Sequence, residues 1–529
     1  MCVKILGLIT VIFIFLTVTK DAHAYKILGV FPMAAPSHYF LGSQIMMGLA
    51  EAGHDVTMLT VFEEKNPPKN GKYNQIVMKD LYEEQQAMFR AVADFKNKQD
   101  HGMFNNPVVM LMTFNQFGYT IAEKTLNNTK TQDLLKSEKK FDVVIVPQFI
   151  LDSLKGFAAY FDAHLVLFNP IAASSWMNHF VGNPSLPSLN PEFALQYISP
   201  MNFKQRLLNT VFTIFTYLNH NLLQYPSQDK LVRKYISKDI DLEKVAYNVS
   251  LVLSNSHPSL NPVAGAVPCM KEIAGFHVKP SKPLPEDLKK YLDEAKNGVI
   301  YFSMGSNLKS ADLPIIKREA LMKAFSKRKE NILWKFEVDD MPGKPNNVRI
   351  EKWLPQSDLL AHPNIKLFIT HGGFLSTVET VYNAVPTVAI PILGDQMLNA
   401  KMAERHGFTK VVEFTKLSEE TISDAIEEVL TNKKYLENVR SRSKIFHDRP
   451  IPALQEAIYW IEYVVRHNGA QHLRVSYLDL AWYQWYMLDV FGLIFAVLFM
   501  IIFVTKKIIS LLCKICTNNK KPSKKVKKQ

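Results

Sequence analysis

Cysteine is scarce. Four in 529 residues exclude a scaffold stapled by disulfides. Cys2 belongs to an N-terminal leader, and Cys513 and Cys516 follow a C-terminal apolar run, so Cys269 stands alone in the body between them. Cys513-x-x-Cys516 has no second pair to complete a zinc or redox site, and its place beside a membrane suits lipid attachment or no role. Acid is missing from Thr505–Gln529, which carries nine lysines and so most of the net charge of +13; without that tail and the first 24 residues the body carries only +3. A broad basic face for nucleic acid is thereby excluded. With 47% hydrophobic residues, 21 Gly and 28 Pro, the chain is neither disordered nor collagen-like. Its length implies about two to four domains.

What is present begins with topology. Lys4 precedes an apolar stretch from Ile5 to Thr19, and Ala22-His23-Ala24 has the small-x-small form of a signal-peptidase site, so residues 1–24 read as a signal peptide. At the other end, Trp485–Val504 has Asp489 as its only charge and is long enough to cross a hydrocarbon core of about 30 Å. The lysine-rich segment 505–529 beyond it predicts a cytosolic tail and a luminal body, with Trp482, Tyr483, Trp485 and Tyr486 as a luminal aromatic belt. Lys525-Val526-Lys527-Lys528-Gln529 resembles a dilysine address, which implies retrieval by cytosolic coat machinery and residence in the endoplasmic reticulum membrane. In a luminal body Asn127-Asn128-Thr129 and Asn248-Val249-Ser250 are glycosylation sequons, so Asn127 and Asn248 are expected at the surface.

The body reads as two α/β halves, residues 25–275 and 286–484, joined by a proline-broken linker at 276–285. In the first, strand Lys26–Phe31 meets the loop Pro32–Ser37, then a helix with Leu41, Ile45, Met46 and Leu49 on one face, then strand Val56–Thr60. His38 sits at the carboxyl end of that first strand, where parallel sheets hold their ligands. In the second, the spacing predicts strands at Val299–Ser303, Ile332–Phe336, Lys366–Thr370 and Thr387–Ile390, with helices at Leu313–Ser326, Phe374–Asn383 and Asp395–Arg405. Segments 61–140 and 171–245 are weakly periodic and rich in Phe, Met, Leu and Tyr, which suits core packing or an apolar pocket wall.

Chemistry concentrates between Trp353 and Gln396. An apolar strand running into His371-Gly372-Gly373 and then a helix aims backbone N–H groups and a helix N-terminus at an anion, while the glycines permit close approach. Glu379 lies one turn into that helix, Trp353 offers a flat face for a base, and Asp395-Gln396 opens the next helix with a polar pair.

This string of motifs resembles the signature of the membrane-bound UDP-glycosyltransferases, also called UDP-glucuronosyltransferases in vertebrates, and its wording is most similar to insect members. The resemblance runs over nearly the whole chain, including Phe302-Ser303-Met304-Gly305-Ser306, His447-Asp448-Arg449-Pro450 and the C-terminal span. It implies the α/β GT-B fold, two Rossmann-like domains facing across a cleft, followed by a single transmembrane helix. It further implies that Trp353 stacks on uracil and Gln356 contacts the nucleoside. His371, Gly373, Gly305 and Ser306 would meet the diphosphate, Glu379 the ribose, and Asp395 and Gln396 the sugar. His38 would be the general base in an inverting, metal-independent transfer of a hexose, expected to be glucose, from a UDP-sugar co-substrate to a small lipophilic acceptor, with no cofactor. Family members often associate in the membrane, so the resemblance leaves a homo-oligomer open as a further partner.

Two features depart from the pattern. Family members commonly orient the base histidine with a carboxylate six residues after the Phe of a Phe-Asp-Val-Val strand, and here Phe141-Asp142-Val143-Val144 leads to Pro147. Asp152 is the nearest acidic substitute, with helix capping as its other reading. Leu375 stands where vertebrate relatives often have a polar residue. Pro147 keeps a second function open, a non-catalytic luminal protein that binds a nucleotide sugar or a hydrophobe. Asp239-Ile240-Asp241 matches a metal-binding D-x-D string, but its place at a helix start favours capping, and no metal is expected.

Overall fold

The computed structural model describes residues 24–98, 106–172, 174–261, 265–306, 308–392 and 394–518. The leader through residue 23, Leu393 and the dilysine motif lie outside the described residues.

Runs such as Val143-Val144-Ile145-Val146 and Val299-Ile300-Tyr301-Phe302 are apolar at every position, as strands buried on both faces must be. They build two all-parallel sheets. The first holds β1 (Lys26–Phe31), β2 (Asp55–Thr60), β3 (Lys72–Val77), β4 (Val143–Pro147), β5 (His164–Asn169), β6 (Val249–Ser254) and β7 (Met270–Glu272) in the order β3-β2-β1-β4-β5-β6-β7. The second holds β8 (Val299–Ser303), β9 (Asn331–Lys335), β10 (Val348–Glu351), β11 (Ile365–Thr370), β12 (Thr387–Ala389) and β13 (Thr409–Val411) in the order β10-β9-β8-β11-β12-β13. Strand order reverses between β1 and β4 in one sheet and between β8 and β11 in the other, and ligands of doubly wound folds sit at such switch points. The edge strands β3 and β10 are polar and only partly buried, which discourages pairing with another chain.

Two packed regions bind the halves together. Leu260 and Ala274 of the first share a buried cluster with Phe374, Val378, Ala403 and Phe408 of the second. The helix Ala453–Arg466, from the C-terminal end of the second half, lays Ala453, Ala457, Ile461 and Val464 on the core of the first sheet. His54 fastens it: its Nδ1 accepts from the Tyr25 N–H at 3.3 Å, leaving Nε2 to donate to Glu462 at 3.3 Å. The expected linker is partly core as well, because Phe276 packs into the first domain and His277 is buried.

The helix Phe203–Asn219 also differs from expectation. It turns Asn209, Phe212, Thr216 and Asn219 inward and leaves Phe203, Leu207, Val211, Ile214 and Leu218 exposed. Its buried amides hold neighbouring segments by hydrogen bonds, which is why polar residues occupy the inner face.

From Val475 the chain forms a separate unit. Its short helix Trp482–Trp485 precedes a 31-residue helix, Leu488–Asn518. This helix starts three residues after the predicted span and runs on through Cys513 and Cys516, because Ile508, Ile509, Leu511, Leu512 and Ile515 extend the apolar pattern among the lysines. Residues Leu488–Thr517 are long and apolar enough to cross a membrane.

Candidate active site

At the second sheet's switch point, β8 runs into Gly305 and β11 into His371-Gly372-Gly373. Each turn is fastened by the hydroxyl of its own strand's last residue: Ser303 Oγ accepts from the Gly305 N–H at 3.1 Å, and Thr370 Oγ1 from the Gly372 N–H at 3.3 Å. The His371 imidazole lies between Gly305 and Gly373, and a Cβ on either glycine would overlap the ring. Gly305 has φ +84°, so both its backbone and its neighbour require glycine. Burial, with the Lys335 ammonium as a second cause, pushes the His371 pKa down to about 4, and its Nδ1 is buried without a partner. The helix Phe374–Tyr382 begins at Gly373 with no side-chain cap, which leaves its first N–H groups for an outside acceptor.

A hydrogen-bonded relay lies beside this turn. Tyr301 Oη donates to Gln356 Oε1 at 3.1 Å, and Gln356 Nε2 donates to Ser376 Oγ at 3.1 Å and to Glu379. Burial raises the Glu379 pKa to about 7. Trp353 leaves 72% of its surface exposed on the loop between β10 and the helix Gln356–Leu360, and Ser306 is exposed as well. The Asp395 carboxyl, raised in pKa by burial, accepts from Asn399 Nδ2 at 2.7 Å, and the same amide reaches the Gly372 carbonyl at 3.3 Å. Gln396 Oε1 accepts from the Ile392 N–H at 2.8 Å and braces the loop in front of its helix.

At the first sheet's switch point, Pro36 opens the helix Pro36–Glu51 after β1 and places His38 in its first turn. The imidazole meets Phe149 at 5.2 Å between ring centroids and shares a small cavity with Phe31, Met33, Tyr39, Pro147 and Phe168. These surroundings desolvate it and push its pKa down to about 4. The structure therefore brings Pro147 to His38, but not Asp152. Asp152 begins the short helical turn Asp152–Lys155 without capping it, and its Oδ1 accepts from Lys155 Nζ at 2.8 Å and Gln148 Nε2 at 3.2 Å. Its Oδ2 accepts from Gln224 Nε2 at 3.4 Å. Burial alone would raise the Asp152 pKa, yet Lys155 and His220 hold it below the usual value. Both expectations for Asp152, orienting the base and capping a helix, give way to a buried ion pair whose cation lies in the same turn.

Residues 26–523 match the family described as UDP-glucoronosyl and UDP-glucosyl transferase. UDP-glycosyltransferase UGT5 of Dactylopius coccus is 35% identical over 98% of this chain and 99% of its own length. Mouse UDP-glucuronosyltransferase 1A7 is 28% identical over 92% of this chain and 91% of its own. The chain belongs to the UDP-glycosyltransferase family.

It is a glycosyltransferase enzyme, and its two sheets form the GT-B fold. The crystal structure of a UDP-glucose: anthocyanidin 3-O-glucosyltransferase in complex with UDP superposes with a TM-score of 0.51 at 15% identity, covering 83% of this chain and 98% of the other. The glycotransferase of kitacinnamycin gives 0.54 at 14% identity, covering 84% and 100%.

Two side chains of this glycosyltransferase escaped the sequence reading. Lys335, at the end of β9, donates to the Gly305 carbonyl at 2.8 Å and pairs with Glu337 at 3.1 Å, which sets a cation behind the His371 turn. Asn399 joins Asp395 to the glycine turn. Both are single polar residues outside any motif, and only their strand-end and i+4 placements gave a signal. Asn127 and Asn248 are exposed, as a sequon requires. Asp241 caps the helix Leu242–Ala246, accepting from the N–H groups of Glu243 at 3.1 Å and Lys244 at 3.4 Å.

Proposed function

We propose that the protein transfers glucose from UDP-glucose to a hydroxyl of a small lipophilic acceptor, with inversion and with His38 as the general base. The observation that carries this reading is His38 itself, at a switch point and desolvated, so that it is neutral and ready to accept a proton at neutral pH. The acceptor oxygen attacks the anomeric carbon as the bond to the UDP oxygen breaks, and the acceptor proton passes to His38. The N-terminus of the helix Phe374–Tyr382 and the Gly305-Ser306 turn stabilise charge growing on the diphosphate, with Lys335 adding positive potential from behind. Glu379 takes hydrogen bonds from the ribose, Gln356 and Trp353 hold the base, and Asp395 and Gln396 bind sugar hydroxyls.

A neutral sugar is favoured by the acids at the cleft. Asp395, Glu192 and Glu272 line one cavity there, and its lysine, Lys271, is drawn to the Trp460 face with Nζ 3.6 Å from the ring centroid. A glucuronate carboxylate would be repelled. A relative named UDP-glucosyltransferase 2, from Dactylopius coccus and 32% identical over 90% of this chain, supports the same choice. The protein resides in the endoplasmic reticulum membrane as a single-pass chain with a luminal body, glycosylated at Asn127 and Asn248.

UDP release by microsomes carrying the full chain, measured over a panel of UDP-sugars with phenols and terpenoid alcohols, tests the proposal against His38→Ala. Turnover with UDP-glucose that is lost in His38→Ala supports it, and turnover unchanged in that variant removes His38 from its role. The apolar surroundings of His38 favour one second reading, a nucleotide-sugar binding protein without turnover. Binding of UDP-glucose with no release of UDP across the panel would select it.

A further inference from the structure

We propose that Lys335 and Glu337 form a clasp that holds the loop after β8 in the shape that receives the UDP diphosphate, and that both are positioning residues for donor binding. The inference rests on the transfer reading for the identity of the anion, and on a closed set of hydrogen bonds for the clasp. β9 pairs with β8 in parallel, so the residues that follow the two strands emerge side by side. Lys335 is the last residue of β9, and Glu337 stands two residues further on. Lys335 Nζ donates to the Gly305 carbonyl at 2.8 Å, and Glu337 Oε2 accepts from the Ala311 N–H at 3.2 Å. The two side chains are joined to each other, Nζ to Oε1, at 3.1 Å. One ion pair thus grips the loop at both Gly305 and Ala311.

The pair is sheltered enough to hold. Its side chains are 16% and 17% exposed, so the bonds face less competition from water than those of a surface pair. At the far end the grip is reinforced, because Arg318 Nη1 on the helix Ile315–Ser326 donates to the Ala311 carbonyl at 3.3 Å, and Leu308 and Ala311 rest on the apolar cluster beneath. At the near end it reaches the site itself. The Gly305 turn lies against the His371 ring, so a turn anchored by Lys335 also sets the imidazole and carries the exposed Ser306.

Charge and shape are separable in this arrangement. The Glu337 carboxylate offsets part of the ammonium's charge, so the larger effect of the pair is a loop already ordered before the donor arrives. Groups that need no ordering on binding hold an anion more tightly than the same groups on a free loop.

Binding of UDP and of uridine to the full chain in detergent micelles tests the clasp, because uridine lacks the diphosphate. Lys335→Met and Glu337→Leu should each weaken UDP by about 10- to 100-fold and leave uridine unchanged. Glu337→Gln keeps an oxygen for both the Ala311 N–H and Lys335, and should hold UDP within about threefold of the parent. In transfer assays the loss should appear in the KM for UDP-glucose and not in the KM for the acceptor. UDP affinity that ignores Lys335→Met and Glu337→Leu overturns the proposal. A second measurement needs no variant to fold: in the parent, amide hydrogens of peptides covering residues 305–311 should exchange slowly before UDP is added. Exchange that becomes slow only when UDP binds overturns the proposal as well, since the ligand and not the clasp would then order the loop. The two readings fail separately. UDP binding that falls in the variants of a protein without any turnover keeps the clasp and removes the transfer reading, whereas turnover with a UDP affinity blind to both variants does the reverse.

Discussion

The imidazole of His38 faces the ring of Phe149 at 5.2 Å, inclined at 51°, in a surrounding where Pro147 takes the place of a carboxylate. A carboxylate beside a histidine raises its pKa and fixes its tautomer, while an aromatic face and a pyrrolidine do neither. The base is therefore neutral over the whole physiological range. With UDP-glucose saturating, kcat should hold steady from pH 8 down to about pH 5 and fall only as His38 becomes protonated near its pKa of about 4. A loss of kcat centred at the ordinary histidine value, about 6.5, would mean that another group supplies the base.

Pro147→Asp restores a carboxylate at the end of β4, on the cavity that His38 lines. The new charge should raise the His38 pKa and move the acid limb of kcat upward in pH, and a better-oriented imidazole should raise kcat at neutral pH severalfold. A kcat that does not change while the acid limb shifts would show that orientation is not limiting in the parent enzyme.

Glu379 and UDP-glucose compete with a proton. The carboxyl has a pKa of about 7 in the free protein, raised by burial from its usual 4.5, and hydrogen bonds from ribose hydroxyls favour the ionised form. The KM for UDP-glucose should therefore rise as pH falls below about 7, by up to about tenfold per unit, and Glu379→Gln should flatten that dependence at a higher KM. Stability moves the other way. The native state binds this proton more tightly than the unfolded chain, so the group's contribution is full below about pH 4.5 and is lost as pH rises to about 7. A thermal-melt series against pH, parent beside Glu379→Gln, reads that slope.

Much of the fold was legible because buried parallel strands are apolar at every position and because Pro and Gly mark their ends. Strand Lys26–Phe31 and strand Val299–Ser303 were read to the residue, and the helix Phe374–Tyr382 to within one. Partnership was harder to read. The periodicity of Ala453–Arg466 announces a buried face without saying which sheet it will meet, and the answer depends on His54, four hundred residues away. Asp152 was misjudged for a related reason. Its charge is balanced by Lys155 three residues on, and nothing in the local pattern signals that the turn carries both into the interior. Leu375 departs from a polar pattern because it packs against the core of the first domain, a contact between the two halves of the chain.

Gly305 and Gly343 separate two effects of a methyl group. Both have positive φ, +84° and +77°, but a Cβ on Gly305 runs into His371 while one on Gly343 meets nothing within 4 Å. Ala at either position should cost about 1 kcal/mol from backbone strain. Only Gly305→Ala should also displace the imidazole, raising the KM for UDP-glucose by an order of magnitude or more while Gly343→Ala leaves it unchanged. Equal KM values in the two variants would remove the Gly305 turn from the donor site.

The Asp152–Lys155 pair lies at 2.8 Å with both side chains 1% exposed, and among the described residues it touches His38 only indirectly, through Gln148, which bonds Asp152 and sits between Pro147 and Phe149. Removing one partner strands the other charge in the interior, which typically costs about 3–5 kcal/mol, whereas replacing both with apolar groups of similar size is often neutral. Lys155→Met should therefore lower the melting temperature sharply, and Asp152→Leu combined with Lys155→Met should recover much of the loss. Because the pair is structural, kcat per folded molecule should follow the parent in the double variant. A double variant that is stable yet has lost kcat by a hundredfold or more would return Asp152 to the catalytic machinery, acting on His38 through a conformation other than the one described here.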